Sequence, residues 1–290
     1  MVKAQADMTQ RMLRYGIYLF LGLMALIYLM PFWVMLLTSL KDVEEIRSGT
    51  LLSLPGSLDL SAWDKAWNSA CTGTTCEGIG PYFMNSFKIV IPAVAISTLL
   101  GALNGYVLSM WRFRGSEVLF GLLLVGCFIP FQVILLPMVR TLSVFGMANS
   151  TSGLISVHVI YGVAFTTLFF RNFYIGIPKE LISAAKLDGA GFFFIFRRIL
   201  LPLSTPIIVV SVIWQFTQIW NDFLFGVVFS GVDTQPVTVA LNNLVNTSFG
   251  GKQYNVDMAA ALIAAMPTLL VYIVAGKYFL RGLTAGAVKG

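Results

Sequence analysis

The sequence predicts an all-α membrane protein built on a domain of six transmembrane helices, residues 16–281. Hydrophobic residues make up 57% of the 290-residue chain and charged residues only 11%, less than half the charged share of typical soluble domains. Six apolar runs are each about twenty residues or more, the length that a helix needs to cross a bilayer. These runs are Gly16–Leu40, Ile89–Met110, Val118–Val139, Ser152–Phe170, Leu200–Phe229 and Met258–Phe279. An even number of spans puts both termini on one side.

Lysine and arginine residues indicate which side that is, because cytoplasmic loops next to membrane helices are enriched in them. Thirteen of the nineteen fall in one set of loops. The thirteen are Lys3, Arg11, Arg14, Arg112, Arg114, Arg171, Lys179, Lys186, Arg197, Arg198, Lys277, Arg281 and Lys289. The sequence therefore predicts cytoplasmic termini. The net charge of +6 reflects this topology rather than a nucleic-acid partner, since no basic stripe interleaved with aromatic residues stands apart from the span ends.

Two soluble stretches flank the first span. Residues 1–15 form a short polar arm, and the span after them is too long for a signal-peptide core and lacks a small-residue cleavage site. Residues 41–84 form the longest outside segment. Trp63 and Trp67 lie one helical turn apart within it, which predicts a small helix.

Two cysteines, Cys71 and Cys76, lie in the same outside segment. An oxidising compartment favours a disulfide between them, and two free thiols are the alternative. A metal site is disfavoured because the chain has a single histidine, far from this segment in sequence.

The second span carries small and polar residues at helical spacing, namely Ser97, Gly101, Asn104 and Gly105. Small residues let helix backbones approach closely in lipid. Close packing is therefore favoured for this stripe over a solute path, which stays open as the alternative.

The third and fourth spans contain features that packing also explains. Pro130 and Pro137 predict a bent third span whose freed carbonyl groups need protein or water nearby, and Cys127 is predicted to be a core residue. His158 and Tyr161 lie on one face of the fourth span. A hydrogen bond between helices is favoured for His158 over a catalytic role.

Residues 177–206 hold six of the fourteen charged residues in the second half of the chain. Pro178 suits the first turn of a helix, where its missing N–H costs nothing, and Gly189 predicts the end of that helix. A second short helix is predicted from Phe192 to Arg198. Four of residues 192–196 are phenylalanine, an apolar surface too large for a solvated loop, so we expect another protein to cover it.

The spacing in this stretch resembles the cytoplasmic "EAA" loop of permease subunits of ATP-binding cassette importers, above all the carbohydrate-uptake branch with the maltose-type permeases. The matching positions are Ala184, Ala185, Gly189, Ile199, Leu201 and Pro202. The family's usual Glu is Ser183 here, with Glu180 one turn away. We call residues 177–199 the EAA-type loop.

The resemblance implies a type I importer permease fold in a bacterial inner (plasma) membrane and a loop that forms coupling helices in a groove of the ATPase. It also implies partners: a second permease subunit, two ATPase subunits and a periplasmic sugar-binding protein. The residues expected to couple to the ATPase are Glu180, Ser183, Ala184, Ala185, Asp188, Gly189, Phe193 and Pro202.

The fifth span is the most polar. Ser211, Gln215, Gln218 and Asp222 recur at spacings of four, three and four residues, which predicts one stripe on a single helix. Buried amides need hydrogen-bond partners, so the stripe either packs against other helices or lines a path wetted by a polar solute. The predicted substrate path consists of Trp214, Gln215, Gln218, Asn221, Asp222 and Asn104.

Two further segments gain a role from the resemblance. A loop as long as residues 230–257 usually has a task, and in the family the corresponding loop reaches into the docked sugar-binding protein. The tail, residues 282–290, also resembles the carbohydrate branch, in which it contacts the ATPase.

The sequence also indicates where the energy for transport comes from. The middle of the six spans contains none of the acidic or basic residues that couple ions in many secondary transporters, and the chain has no G-x-x-x-x-G-K-[ST] phosphate loop. The chain is therefore expected to bind no cofactor and catalyse no reaction, with magnesium-bound ATP hydrolysed on partner subunits. A secondary transporter or facilitator of a polar solute is the alternative; an intramembrane serine protease is disfavoured because G-x-S-x-G is absent.

Sugar is the substrate class that the resemblance implies, as a mono- or disaccharide. The outside segment with the cysteine pair, residues 41–84, resembles glucose or mannose systems most. Membrane lipid and sugar are thus the expected small-molecule partners, and nucleic acid is not.

Overall fold

The computed structural model describes the backbone of residues 2–111, 113–247 and 251–287 and the side chains of residues 10–111, 113–247 and 251–276. Within these ranges the chain is helical apart from turns, loops and one isolated antiparallel bridge between Thr72 and Thr75. The predicted tail, residues 282–290, lies outside the described side chains, and residues 288–290 lie outside the described backbone. Arg112 is also outside the described residues.

The amino-terminal part contains three helices: α1 (Val2–Ser39), α2 (Val43–Ser48) and α3 (Ser61–Asn68). Because α1 begins at Val2, the predicted arm of residues 1–15 is continuous with the first span. Helix α3 is the small helix that Trp63 and Trp67 predict. Cys71 and Cys76 are joined by a disulfide.

Residues 1–78 and 244–263 form one compact unit. Lys41 is only 2% exposed, and its Nζ donates to Ser53 Oγ at 2.9 Å while its carbonyl accepts from Asn255 Nδ2 at 3.1 Å. The disulfide hairpin is also tied to this unit, since Gly73 N donates to Thr247 Oγ1 at 3.0 Å. Hydrogen bonds thus hold Lys41 and the disulfide hairpin within this unit.

Residues 79–243 and 264–287 belong to a second compact unit. Its helices up to the EAA-type loop are α4 (Gly80–Met110), α5 (Ser116–Phe128), α6 (Phe131–Val144) and α7 (Thr151–Ile175). The helices that follow are α8 (Lys179–Leu187), α9 (Phe192–Ile195), a π-helical turn (Phe196–Leu200), α10 (Leu201–Leu203), α11 (Thr205–Trp220), α12 (Leu224–Phe229) and α13 (Val237–Asn246). A 3₁₀ turn (Val232–Thr234) precedes α13, and α14 (Tyr254–Ala287) ends the chain.

The central helix pair of this unit is α4 with α7, and glycines make the pair close. A Cβ at Gly101 would lie 2.4 Å from Thr166 Cβ, and one at Gly105 would lie 2.7 Å from the backbone nitrogen of Arg171. Thr166 Oγ1 also donates to the carbonyl of Ser97 at 2.8 Å. The stripe of small residues in the second span is therefore a helix-packing surface, as favoured from the sequence.

The described residues contain four helices long and apolar enough to cross a membrane, and six spans if each of two bent helix pairs counts as one. The first bent pair, Ser116–Phe128 with Phe131–Val144, turns through 103° at the position that Pro130 predicts. The second, Phe192–Leu203 with Thr205–Trp220, turns through 77°. This arrangement confirms the all-α prediction with up to six spans and the bend predicted in the third span, and it corrects one span predicted as continuous, because Leu200–Phe229 is interrupted.

Candidate functional site

The first candidate site is the EAA-type loop, whose sharp turn is built by Gly189. Asp188 ends α8, and Gly189 follows with a φ of +82°. Gly189 N donates to the carbonyl of Lys186 at 3.0 Å and Ala190 N donates to that of Ala185 at 2.9 Å, which is the pairing of a Schellman motif. The helix end predicted at Gly189 is therefore present, and the left-handed backbone explains why glycine occupies it.

The second short helix extends further than the sequence predicts. We expected it to end at Arg198, but α9 continues through the π-helical turn and α10 to Leu203. The bend falls at Ser204, whose Oγ donates to the carbonyl of Leu200 at 2.6 Å and lies within hydrogen-bond distance of Tyr174 Oη, at 3.0 Å. The loop is consequently joined rigidly to α11.

A buried aromatic cluster holds the loop against α4 and α7. The ring of Phe196 stacks on Tyr106 with centroids 5.8 Å apart and an interplanar angle of 15°, and Phe192 lies 4.8 Å from the same ring. Tyr174 and Phe170 of α7 are fully buried in this cluster, together with Ile182 and Ile195. Half of the phenylalanine-rich segment is therefore covered by its own chain.

The other half is exposed. Phe193 is 74% exposed, Phe194 57% and Leu187 89%, and these apolar side chains flank the Gly189 turn. Most of the residues predicted to couple to an ATPase are exposed on the same loop or just after it: Glu180, Ser183, Ala184, Asp188, Gly189, Phe193 and Pro202; Ala185 is half-buried. The surface has the exposure that docking of another protein requires, and the contact itself stays a prediction.

The second candidate site is a polar cavity of about 270 Å³ beside α7 and α11, which we call the amide cavity. Its lining combines aromatic rings with two amides, one carboxylate and one imidazole. The lining residues are Cys127, Ile129, Phe131, His158, Tyr161, Gly162, Phe165, Trp214, Gln215, Gln218, Ile219, Asp222 and Phe225. Four of the six residues predicted for a substrate path therefore meet here.

Gln215 is held in place by its neighbours. Its side chain is 2% exposed, and Nε2 donates to Ser97 Oγ of α4 at 2.8 Å. A Cβ at Gly162 of α7 would lie 1.9 Å from that same nitrogen. The amide thus occupies space that only glycine leaves free, and the hydrogen bond satisfies the buried donor.

Asp222 lies beyond the end of α11, and this corrects the predicted single-helix stripe. The helix ends at Trp220, and Asp222 Oδ2 accepts from Gly226 N of α12 at 3.1 Å while its carbonyl accepts from Thr238 Oγ1 at 2.6 Å. His158 Nε2 lies 3.9 Å from Oδ2, which is too long for a direct hydrogen bond. The hydrogen bond between helices predicted for His158 is therefore not made to this carboxylate, which lies in the break between α11 and α12.

Two predicted path residues lie elsewhere in the structure. Asn104 donates to Thr167 Oγ1 at 3.3 Å in the contact of α4 with α7, and Asn221 is exposed and donates to the carbonyl of Thr217 at 3.0 Å. Neither belongs to the cavity lining. Trp220, the last residue of α11, is 1% exposed and donates to the carbonyl of Ala264 at 2.9 Å.

Three residues that line the amide cavity were not predicted to do so from the sequence. Phe165 continues the face of α7 that His158 and Tyr161 mark, at spacings of three and four residues, so the helical period contained that signal. Phe225 reaches the amide cavity only because the helix breaks after α11. Cys127, predicted to be core, instead borders the cavity, because the bend after α5 opens the structure beside it.

Comparisons with known proteins show the family of this chain. The family described as "Binding-protein-dependent transport system inner membrane component" matches residues 93–279. The chain is similar to a "Probable ABC transporter permease protein" of Pyrococcus horikoshii, with 39% identity over 96% of this chain and 98% of that protein. It is also 34% identical to the xylose/arabinose import permease protein of Haloferax volcanii, over 73% of this chain and 75% of that protein.

The fold has a counterpart among solved structures. A chain of a bacterial ABC transporter involved in the import of the acidic polysaccharide alginate superimposes with a TM-score of 0.79. The match covers 93% of this chain and 98% of that chain at 21% sequence identity, so the likeness is one of fold.

Proposed function

Because this chain belongs to the family of inner membrane components of binding-protein-dependent transport systems, we propose that it is the permease subunit of an ATP-driven sugar importer. The observation that carries the proposal is the uncovered apolar surface of Leu187, Phe193 and Phe194 around the Gly189 turn. Large exposed apolar patches on a protein mark interaction sites. The EAA-type loop is a rigid, aromatic projection joined to α11 at Ser204. It can therefore transmit the motion of an ATPase to the membrane helices.

The residues proposed to act in this coupling are those of the EAA-type loop and the start of the next span: Glu180, Ser183, Ala184, Ala185, Asp188, Gly189, Phe193 and Pro202. Phe193 is the proposed anchor. Buried aromatic side chains dominate binding energy at protein interfaces, and its ring is free to insert into a groove.

The amide cavity is proposed to border the solute route. Amides, a carboxylate and an imidazole offer both donors and acceptors to hydroxyl groups, and Trp214 offers a flat apolar surface to the C–H face of a sugar. The volume of about 270 Å³ lies just below the usual range of ligand pockets, which favours a single sugar ring. We propose glucose or mannose as the first sugars to test, on the resemblance of the outer loop that carries Cys71 and Cys76. The pentoses named for the Haloferax volcanii relative belong in the same panel.

The domain arrangement and topology are proposed with the function. Residues 41–84 and 230–257 face the periplasm, and the arm of residues 1–15, the EAA-type loop and the tail of residues 282–290 face the cytoplasm. The excess of lysine and arginine in one set of loops supports this orientation. A second permease subunit, two ATPase subunits and a periplasmic sugar-binding protein complete the proposed complex, and ATP is hydrolysed on the ATPase subunits.

Co-purification tests the proposal directly. The tagged full-length chain should retain an ATPase, and the complex should hydrolyse ATP faster when a sugar and its binding protein are added. Phe193→Ala should weaken ATPase retention by roughly tenfold or more, the loss expected of an interface anchor.

The matched control is Phe145→Ala, which removes an equally exposed phenylalanine (72%) on the side proposed to face the periplasm. It should leave retention unchanged. Sugar uptake by the chain alone in proteoliposomes, without any ATPase, would instead identify a facilitator and overturn the proposal.

A further inference from the structure

A second cavity lies beneath α8 and shares only Ser183 with the residues proposed to couple to an ATPase. Its volume is about 430 Å³, and we call it the lysine cavity. It is formed by the ends of α4 and α7 together with one side of α8. The lining residues are Ser109, Met110, Tyr174, Ile175, Ile177, Lys179, Ile182, Ser183 and Lys186.

Helix α8 presents two different faces. Lys179, Ile182, Ser183 and Lys186 follow one another at spacings of three, one and three residues, so they share one face, and all four line the cavity. Leu187, 89% exposed, is absent from the lining. One face of α8 is therefore available to an ATPase while the other borders the cavity.

The lysine cavity is positively charged. It is lined by two lysines and no carboxylate, and among the described residues neither lysine forms a salt bridge. Lys186 Nζ lies 4.3 Å from the centroid of the Trp111 ring, a cation–π contact that leaves its charge uncompensated. A site of this charge attracts an anion.

Because residue 183 is a serine, the chain itself places no carboxylate between the two lysines. Ser183 lies four residues after Lys179 and three before Lys186, the two spacings at which a carboxylate pairs with lysine on a helix. The usual Glu of the EAA pattern at this position would stand between both ammonium groups. The serine leaves them unneutralised and contributes a hydroxyl donor instead.

We propose that the lysine cavity binds the phosphate group of an anionic phospholipid, with Lys179 and Lys186 on the phosphate and Ser183 and Ser109 as hydroxyl donors. Basic pockets between membrane helices on the cytoplasmic side are suited to such headgroups. Met110, Ile175 and Ile177 form an apolar wall beside the charges, and Ile175 is 54% exposed. The apolar wall favours a phosphate that carries an acyl chain over free inorganic phosphate.

The lipid would fix α8 against the ends of α4 and α7 and so adjust how the coupling loop moves. This consequence rests on the proposed function, because it needs the loop to be cytoplasmic and to contact an ATPase. The binding itself does not depend on transport and is measured separately.

The test uses the full-length protein, with the subunits that co-purify, in phosphatidylcholine nanodiscs with and without phosphatidylglycerol. Native mass spectrometry measures the phosphatidylglycerol retained on the chain. The double variant Lys179→Gln/Lys186→Gln should weaken retention by roughly 30-fold, the combined contribution of two lysines near an anionic membrane surface. Ser183→Glu adds one negative charge beside the two lysines and so should weaken retention by roughly fivefold, the contribution of one charge near an anionic membrane surface, whereas Ser183→Gln, of equal size, should not.

The charge-matched control is Arg197→Gln/Arg198→Gln, which removes two exposed basic residues from the same loop outside the cavity. Equal loss in this control would show nonspecific attraction and overturn the proposed site. Displacement of the lipid by inorganic phosphate would overturn the lipid as its ligand. ATPase co-purification that persists while lipid retention is absent would refute this inference and leave the proposed function intact.

Discussion

The substitution Gly162→Ala tests how the amide cavity is built. The added methyl group would lie 1.9 Å from Gln215 Nε2 and 2.8 Å from its Cδ, so the amide must move. Its hydrogen bond to Ser97 Oγ, 2.8 Å long, is then lost, and a buried polar group left without a partner costs about 1–3 kcal/mol. Alanine also gains up to about 1 kcal/mol over glycine in a helix interior, and this gain partly masks the loss.

A matched glycine removes that ambiguity. Gly121 lies in α5 with no atom within 4 Å of its added Cβ, so Gly121→Ala reports the helix-propensity gain alone. The difference in thermal stability between the two purified variants should correspond to about 1–3 kcal/mol in the free energy of unfolding. Sugar uptake should fall in Gly162→Ala and remain in Gly121→Ala.

A double-mutant cycle then assigns the effect to Gln215. In a Gln215→Ala background the methyl group of Gly162→Ala has no amide to displace, and Ser97 Oγ still donates to the carbonyl of Ala93 at 2.6 Å. We expect Gly162→Ala to be neutral or stabilising there. The same destabilisation in both backgrounds would refute the argument, because interacting residues must show a coupling energy.

Three further predictions follow from other parts of the molecule. Gly189→Asp should abolish sugar-stimulated ATP hydrolysis while the chain stays in the membrane, since it adds bulk and a negative charge to the coupling surface. Gly189→Asn, which has the same size and a similar tolerance for a left-handed backbone but adds no charge, should retain more activity, and normal uptake by the Asp variant would contradict the coupling role. Maleimide labelling of the unfolded, unreduced protein should modify one thiol, Cys127, and three after reduction; three from the start would exclude the disulfide between Cys71 and Cys76. Trp214→Ala should raise the KM for sugar uptake and Trp214→Phe should largely restore it, whereas equal effects of both would argue against a stacking role.

The spans could be predicted because their signal is the length of an apolar run, and their ends could not. Helix α4 begins at Gly80, nine residues before the predicted Ile89, because polar residues such as Asn85 continue the helix without continuing the apolar run. Asn85 Nδ2 donates to the carbonyl of Asp233 at 2.8 Å, so tertiary contacts hold this extension. Hydropathy shows which part of a helix is apolar, and it does not show where the helix begins or ends.

The prediction that α11 continues through Asp222 is wrong, and turn chemistry explains why. The polar stripe keeps its helical spacing through Asp222, but Asn221 and Asp222 are residues whose side chains favour turns over helix. The carboxylate of Asp222 in fact accepts the N–H of Gly226 at 3.1 Å and so helps to begin α12. The dipeptide contained this signal, whereas the contacts with Phe225 and Cys127 depend on the path of the chain in three dimensions and have no local signal.

Two helix breaks border the amide cavity, one after α5 and one after α11. Ile129 and Phe131 flank the break after α5, and Asp222 and Phe225 lie at the break after α11; all four line the cavity. Interrupted backbone at membrane depth is tolerated only where protein covers it or water reaches it. In an inner membrane component, two breaks that converge on one polar cavity imply that this part of the molecule is built to be wetted, and a solute with hydroxyl groups can replace that water without leaving a carbonyl or an amide unpaired.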